Sequence, residues 1–194
     1  MLQRLWGSVF GDVRAAETPA GDVDGPRVAE LVLSLPVPLR EPMEARAPGL
    51  RSTAETFRRL LSQARESIKI FSPYVDPTFT GMAQEARAPI QVVTTLREAR
   101  MKSSPVLERL ATTRPMAVRY LHEKHAKSQM FQLHAKMILS DRAAAYVGSA
   151  NFTDTSMHYN FELGLYTEDR AAIGRLHAVF DTIFDFAARP AGAL

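Results

Sequence analysis

The side chains here that could do chemistry together crowd into one stretch, Gln132 to Tyr166. The chain has 194 residues and no cysteine, so thiolate nucleophiles, disulfides, iron–sulfur clusters and thiolate zinc sites are excluded. Imidazole, carboxylate and hydroxyl chemistry remain. His134 and Lys136 stand two apart in an apolar, strand-like run, Leu133 to Leu139, which puts both on one face of a strand. Charge in such a run is costly unless something balances it, and a phosphate would. A second run ends in Gly148-Ser149-Ala150-Asn151, where glycine admits a ligand to the backbone and Ser149 and Asn151 offer neutral hydrogen bonds. In a third run Asn160, Glu162 and Gly164 share a face, which makes Glu162 a carboxylate within an apolar strand. The set suits phosphoryl transfer through a histidine nucleophile. A neutral imidazole attacks phosphorus, Glu162 fixes its tautomer, and Lys136 and Asn151 stabilise the pentacoordinate oxyanion. The arrangement requires no metal and no cofactor.

These residues need a sheet to hold them. A capping box at Ser52 and Glu55 opens an amphipathic helix with Phe57, Leu60, Leu61, Ala64 and Ile68 on its stripe. Ser67 to Val75 alternates like a strand and is stopped by Pro73 and Pro77. Ile90 to Leu96 is a second strand, followed by a helix with Ser104 as N-cap and Pro105 at its first position. Met116 to Leu121 is a third strand and ends in a cationic loop, His122 to Gln129. Three closely spaced strands follow, Leu133 to Leu139, Ala143 to Val147 and Phe161 to Tyr166. A helix from Arg170 to Phe186 closes the chain, with Ile173, Leu176, Val179, Phe180, Ile183 and Phe184 on its apolar face. Helices alternating with strands, then a run of strands, imply an α/β fold with a mixed central sheet covered on both faces. Residues 1–50, rich in Pro, Gly and acidic side chains, read as an irregular N-terminal extension with one short element at Val28 to Leu35; residues 51–190 read as the catalytic domain.

The net charge is +3, but residues 97 to 142 carry ten Lys and Arg against four Asp and Glu, an excess of +6 that suits a polyanionic partner. The start of the chain has no signal-peptide h-region and no run is long enough for a membrane span, so a cytoplasmic protein is expected.

The segment resembles the phospholipase D superfamily, whose signature is His-x-Lys, four residues, Asp, six residues, Gly-Ser-x-Asn. His134, Lys136, Asp141, Gly148, Ser149 and Asn151 match it with every interval intact. Six fixed matches would arise by chance in roughly a few chains per million. His-x-Lys also occurs at His122/Lys124 and His125/Lys127, but only His134 is followed by the rest of the motif. Glu162 stands about where that superfamily keeps its histidine-orienting acid. The resemblance implies an α-β-α sandwich and an active site built from two motif copies. One histidine forms a phosphohistidine, and the other protonates the leaving oxygen. With a single copy here, it implies a homodimer in which the two His134 side chains face each other.

The resemblance implies a metal-independent phosphodiesterase, a hydrolase whose favoured substrate is nucleic acid, DNA ahead of RNA. A subunit of a nucleic-acid-directed antiphage defence complex, working with other defence proteins, is the second reading, and a phospholipase or transphosphatidylase the third. His134, Lys136, Asn151 and Glu162 are the expected catalytic residues; Lys136, Ser149 and Asn151 are expected to bind the substrate phosphate. Ser149 could equally cap the segment that follows it. Asp141, at a turn, and Gly148 are expected to be structural. His122, Lys124, His125 and Lys127 are candidates for contacting a nucleic-acid backbone, and His158 is read as structural.

Overall fold

The computed structural model describes residues 29–95, 103–124 and 130–187. Along the chain these form β1 (Glu30–Ser34), α1 (Val37–Arg46), β2 (Arg51–Ser52), α2 (Thr53–Gln63), β3 (Ile68–Phe71), α3 (Thr78–Glu85), β4 (Ile90–Thr94), α4 (Ser103–Thr113) and β5 (Met116–Tyr120). Then come β6 (His122–Lys124), β7 (Met130–Gln132), β8 (Lys136–Ser140), β9 (Ala144–Gly148), α5 (Asp154–His158), β10 (Glu162–Thr167) and α6 (Arg170–Phe186). Eight strands make one mixed sheet in the order β2-β1-β10-β9-β8-β3-β4-β5, and β6 and β7 pair separately. β3, β4 and β5 run parallel, whereas β8, β9, β10 and β1 alternate in direction. No helix among the described residues is long and apolar enough to cross a membrane.

The alternation within each strand assigns its residues to one of two cores. On one face, Phe57, Leu60 and Leu61 of α2, Phe79 and Met82 of α3, and Leu107 and Leu110 of α4 bury Ile70, Val92, Val118, Ile138 and Tyr146. On the other, Ile173, Phe180 and Phe184 of α6 cover Phe71, Val93, Met137, Leu139 and Ala145. The helix ends its cover there. Leu31, Leu165 and Val147 face one another across β1, β10 and β9, and with Leu163 they stay 42% to 49% exposed on that second face.

Several elements depart from the local reading. The apolar island of the N-terminal segment is a strand of the main sheet, since β1 pairs antiparallel with β10 along its whole length. The sheet therefore reaches back into the segment that composition sets apart. The segment after it is helical: α1 takes its first proline where a helical N–H would have no partner anyway. Ser52 is the N-cap of α2 and also pairs beside Leu33 as β2, but its side chain makes no capping bond. On α6 the interior position is held by His177, and Val179 is exposed. The cationic loop is in part a ribbon, with His122 opposite Gln132 and Lys124 opposite Met130.

Asp141 fastens one end of the sheet. Its carboxylate accepts the backbone N–H groups of Arg65, Glu66 and Ser67 at 2.8 to 2.9 Å, and its own N–H donates to Ser67 O. Its carbonyl accepts His177 Nε2–H at 2.6 Å. One residue, at φ 53°, thus ties the α2–β3 connection, the β8–β9 turn and α6 together. Asp141 lies beyond the far end of β8 from Lys136, about 16 Å along a five-residue strand. Burial opposes its charge, but the three amide donors together with Arg65 outweigh that and hold its carboxyl below the ordinary value of 3.8. Because the folded-state value is depressed, its stabilisation is complete above pH 3.8 and drains away as the pH falls through the lower value. Asp141→Ala is expected to lower unfolding free energy by about 3 kcal/mol in urea denaturation at neutral pH. The difference from wild type should shrink as the solution is acidified below about pH 4.

Candidate active site

The opposite end of the sheet gathers the chemical groups. The C-terminal ends of β3, β4, β5 and β9 and the N-terminal ends of β8 and β10 all lie there. Lys136 opens β8 directly across from Gly148, and Gly148 in turn faces Gly164 of β10. Lys136 is 7% exposed. Its ammonium donates to the His134 carbonyl at 2.7 Å and stands 3.3 Å from both ring nitrogens. A point equidistant from both nitrogens lies over the ring face rather than along either lone pair. His134 itself is exposed and precedes the strand, so the expected start of that strand at Leu133 is corrected to Lys136. The cause is visible in the bonding: the Lys136 ammonium, not a neighbouring strand, takes the His134 carbonyl. Burial pushes the Lys136 pKa down from its ordinary value, and the negative charge of Glu162 opposes that shift.

Glu162, the first residue of β10, is also buried. It accepts Ser149 Oγ–H at 2.5 Å and Asn160 Nδ2–H at 3.2 Å. Ser149 Oγ also accepts the Leu163 N–H at 3.1 Å, and the Ser149 N–H donates to Leu163 O. The one hydroxyl proton of Ser149 is therefore spent on Glu162, a role neither sequence alternative named. Glu162 was expected to hold the His134 ring. Among the described residues its hydrogen bonds go to Ser149 and Asn160 instead, and it acts on Lys136 through its charge.

Gly148 has a packing reason for being glycine. A Cβ there would stand 2.3 Å from the Tyr146 hydroxyl, and one on Gly164 would stand 2.3 Å from Tyr146 Cε2. The fully buried Tyr146 ring fills the space over both glycines, so the backbone approach expected for a ligand is made by a side chain of the protein. Burial first, then the nearby Glu162 charge, pushes the Tyr146 phenol up to about 12, against the Ala150 N–H that its oxygen accepts. Tyr146 was missed in the sequence, where two glycines on one sheet face were its only trace.

Asn151 follows β9, and its amide oxygen is buried without a hydrogen-bond partner. The segment after it is pinned to the β3–α3 connection. Val75 bridges Phe152 in parallel, Phe152 N–H donates to Ser72 Oγ, and Asp76 accepts the Thr78 and Asp154 N–H groups. Ser72 and Asp76 were not singled out in the sequence; their signal was a polar residue on each side of the Pro73-Tyr74-Val75 turn. β6 leaves this same sheet end and β7 returns to it immediately before His134, which places the backbones of His122 and Lys124 on the approach. His125 and Lys127 lie outside the described residues. His158 pairs with Asp154 at 2.9 Å on the exposed side of α5.

With this geometry in hand, the comparisons with known proteins are informative. A family model described as "Cardiolipin synthase, PLD-like domain" matches residues 57–184. Cardiolipin synthase A of Pseudomonas aeruginosa is 31% identical over 133 residues, which are 66% of this chain and 26% of that protein. The chain thus spans about a quarter of the curated relatives it matches. NucT from Helicobacter pylori superposes with a TM-score of 0.64 at 16% identity, covering 84% of this chain and 99% of that one. Nuc from Salmonella typhimurium, a phospholipase D family member, gives 0.63 at 15%, covering 84% and 97%. Phosphatidylserine synthase of Haemophilus influenzae gives 0.59 at 12%, covering 84% and 40%. The structural likenesses speak to the fold.

The packing of Tyr146 can be checked directly. Gly164→Ala should cost about 2 kcal/mol or more in urea unfolding, since the added methyl meets a fully buried ring. Gly81→Ala, in a helix with nothing within 4 Å of the new Cβ, should leave stability unchanged or raise it by up to about 1 kcal/mol.

Proposed function

The chain belongs to the phospholipase D superfamily, a family of phosphodiesterases, and on that premise we propose that it is a nuclease working through a covalent phosphohistidine on His134. The observation that carries this reading is Lys136. It is a buried ammonium whose hydrogen bonds, among the described residues, go to His134 alone. A cation in that position is balanced only at a distance by Glu162, and an anionic phosphate arriving beside His134 would complete the balance. The +6 excess of residues 97 to 142 favours the same class of ligand.

In this mechanism an imidazole nitrogen of His134 attacks phosphorus and forms an N–P bond while the bond to the leaving oxygen breaks. The leaving oxygen takes a proton from His134 of a second copy. Water then attacks the phosphohistidine, gives its proton to that second imidazole, and releases the phosphate ester as the N–P bond breaks. Lys136 and the Asn151 amide N–H hold the non-bridging oxygens, and Ser149 and Asn160 hold the Glu162 side chain in position. The full motif occurs once per chain, so the second imidazole comes from a homodimer. In this reading the uncovered ladder of Leu31, Leu165, Val147 and Leu163, which adjoins Ser149 and Glu162 along β9 and β10, supplies apolar contact surface for the second copy.

One observation favours a second reading. The same ladder is an exposed apolar surface of the kind a lipid-directed enzyme presents, and the sequence relatives are named cardiolipin synthase. The assay that separates them offers single- and double-stranded DNA, RNA, and phosphatidylglycerol vesicles to the enzyme in excess chelator. Nucleic-acid cleavage that survives chelation and falls at least about a thousandfold in His134→Ala is expected. Turnover of lipid alone would replace the nuclease reading with the second one. Leu165→Asp is expected to weaken self-association at least about tenfold in sedimentation and to lower activity in step. A variant that stays dimeric but loses vesicle binding would reassign the ladder to lipid.

A further inference from the structure

Tyr74 is an exposed aromatic residue whose backbone runs beside Asn151 and is held by several hydrogen bonds. Ser72 Oγ–H donates to Tyr74 O at 2.7 Å, and Thr94 Oγ1–H to Pro73 O at 3.2 Å. Phe152 N–H donates to Ser72 Oγ at 3.3 Å, and Asp76 N–H to Phe152 O at 3.0 Å. The Val75–Phe152 bridge is parallel, so Tyr74 lies beside Asn151. The β3–β8 register sets Phe71 opposite Met137, which places Ser72 level with Lys136. These bonds anchor the turn between the two groups proposed to hold phosphate, while Tyr74 is left 41% exposed. Among the described residues the ring has no aromatic or cationic neighbour and the hydroxyl no hydrogen bond. It contributes nothing visible to the core.

A rigidly mounted, solvent-facing ring beside a phosphate site has a definite use. Every nucleobase presents a flat π-face, and stacking on a protein ring tolerates any sequence. With the backbone already held, only the two side-chain torsions of the tyrosine need be ordered on binding. A base within a duplex has both faces covered by its neighbours and cannot meet such a ring without unstacking. We propose that Tyr74 stacks on the base next to the scissile phosphate, so that the substrate is single-stranded nucleic acid. This rests on the nuclease reading above. The β6–β7 ribbon, which rises from the same sheet end, would then follow the flanking backbone.

The test compares kcat/KM for a single-stranded oligonucleotide, the same strand made abasic around the cleavage site, and the duplex, using the full chain. Wild type is expected to prefer the single strand to the duplex by about tenfold or more. The ratio of kcat/KM on the base-bearing strand to that on the abasic strand should fall about tenfold in Tyr74→Ala and be kept in Tyr74→Phe. An unchanged ratio in Tyr74→Ala overturns the proposal, as does a duplex cut as readily as a single strand. Either result, obtained with an active enzyme, leaves the nuclease reading standing. Absence of any nucleic-acid cleavage by wild type overturns both.

Discussion

Lys136 brings a positive charge into the interior of the sheet end, and the structure around it is organised by the need to accommodate that charge. Lys136 is 7% exposed; its ammonium donates to the His134 carbonyl and stands over the His134 ring, and His134 itself is exposed and precedes the strand. Across β9 and β10 the backbone must be glycine at two facing positions, because the Tyr146 ring lies over them. Beyond them Glu162 supplies the counter-charge, itself held by the Ser149 hydroxyl and the Asn160 amide. A buried cation left without such an arrangement would cost several kcal/mol. Anion binding would relieve what remains of that cost, which links the packing of the sheet to the chemistry proposed for it.

The sequence motif therefore divides into two groups with different physical tasks. His134, Lys136, Gly148, Ser149 and Asn151 converge at one end of the sheet. Asp141 works at the other, where its carboxylate satisfies three amides and its carbonyl receives His177. The fixed interval between Lys136 and Asp141 is the length of β8, and the interval from Asp141 to Gly148 is the turn and β9. Both ends of this hairpin register against β3 and β10 at once, so an inserted or deleted residue would shift one end off its partners. The anchoring of Ser72 to Asp76 on the segment after Asn151 extends the same rigidity to the mouth of the site.

Features set by local periodicity were legible in the sequence. The stripe Phe57, Leu60, Leu61 and Ala64 is buried as its spacing implies, and α6 runs from Arg170 to Phe186 as expected. All the motif residues except Asp141 lie together at one end of the sheet. What was hidden depends on partners far away in the chain. Leu31 pairs with Leu165, and no pattern near residue 30 announces that. Ser52 stands at the N-cap of α2 as expected, but its pairing with Leu33 has no local signal. Ser149 and Gly148 look like a phosphate cradle, but Glu162 and Tyr146 claim them. His177 reads as a polar interruption of an apolar face, because its acceptor lies 36 residues back.

In the proposed mechanism a ring nitrogen of His134 becomes bonded to phosphorus, and Lys136 with its buried surroundings prepares that step. The most direct measurement is a rapid quench of the active enzyme mixed with an oligonucleotide carrying radiophosphorus at its internucleotide positions, followed by denaturing separation and peptide mapping. The account predicts protein-bound label that is stable in alkali, labile in acid and confined to the peptide containing His134. Active enzyme that never carries label, or carries it on another residue, would contradict it.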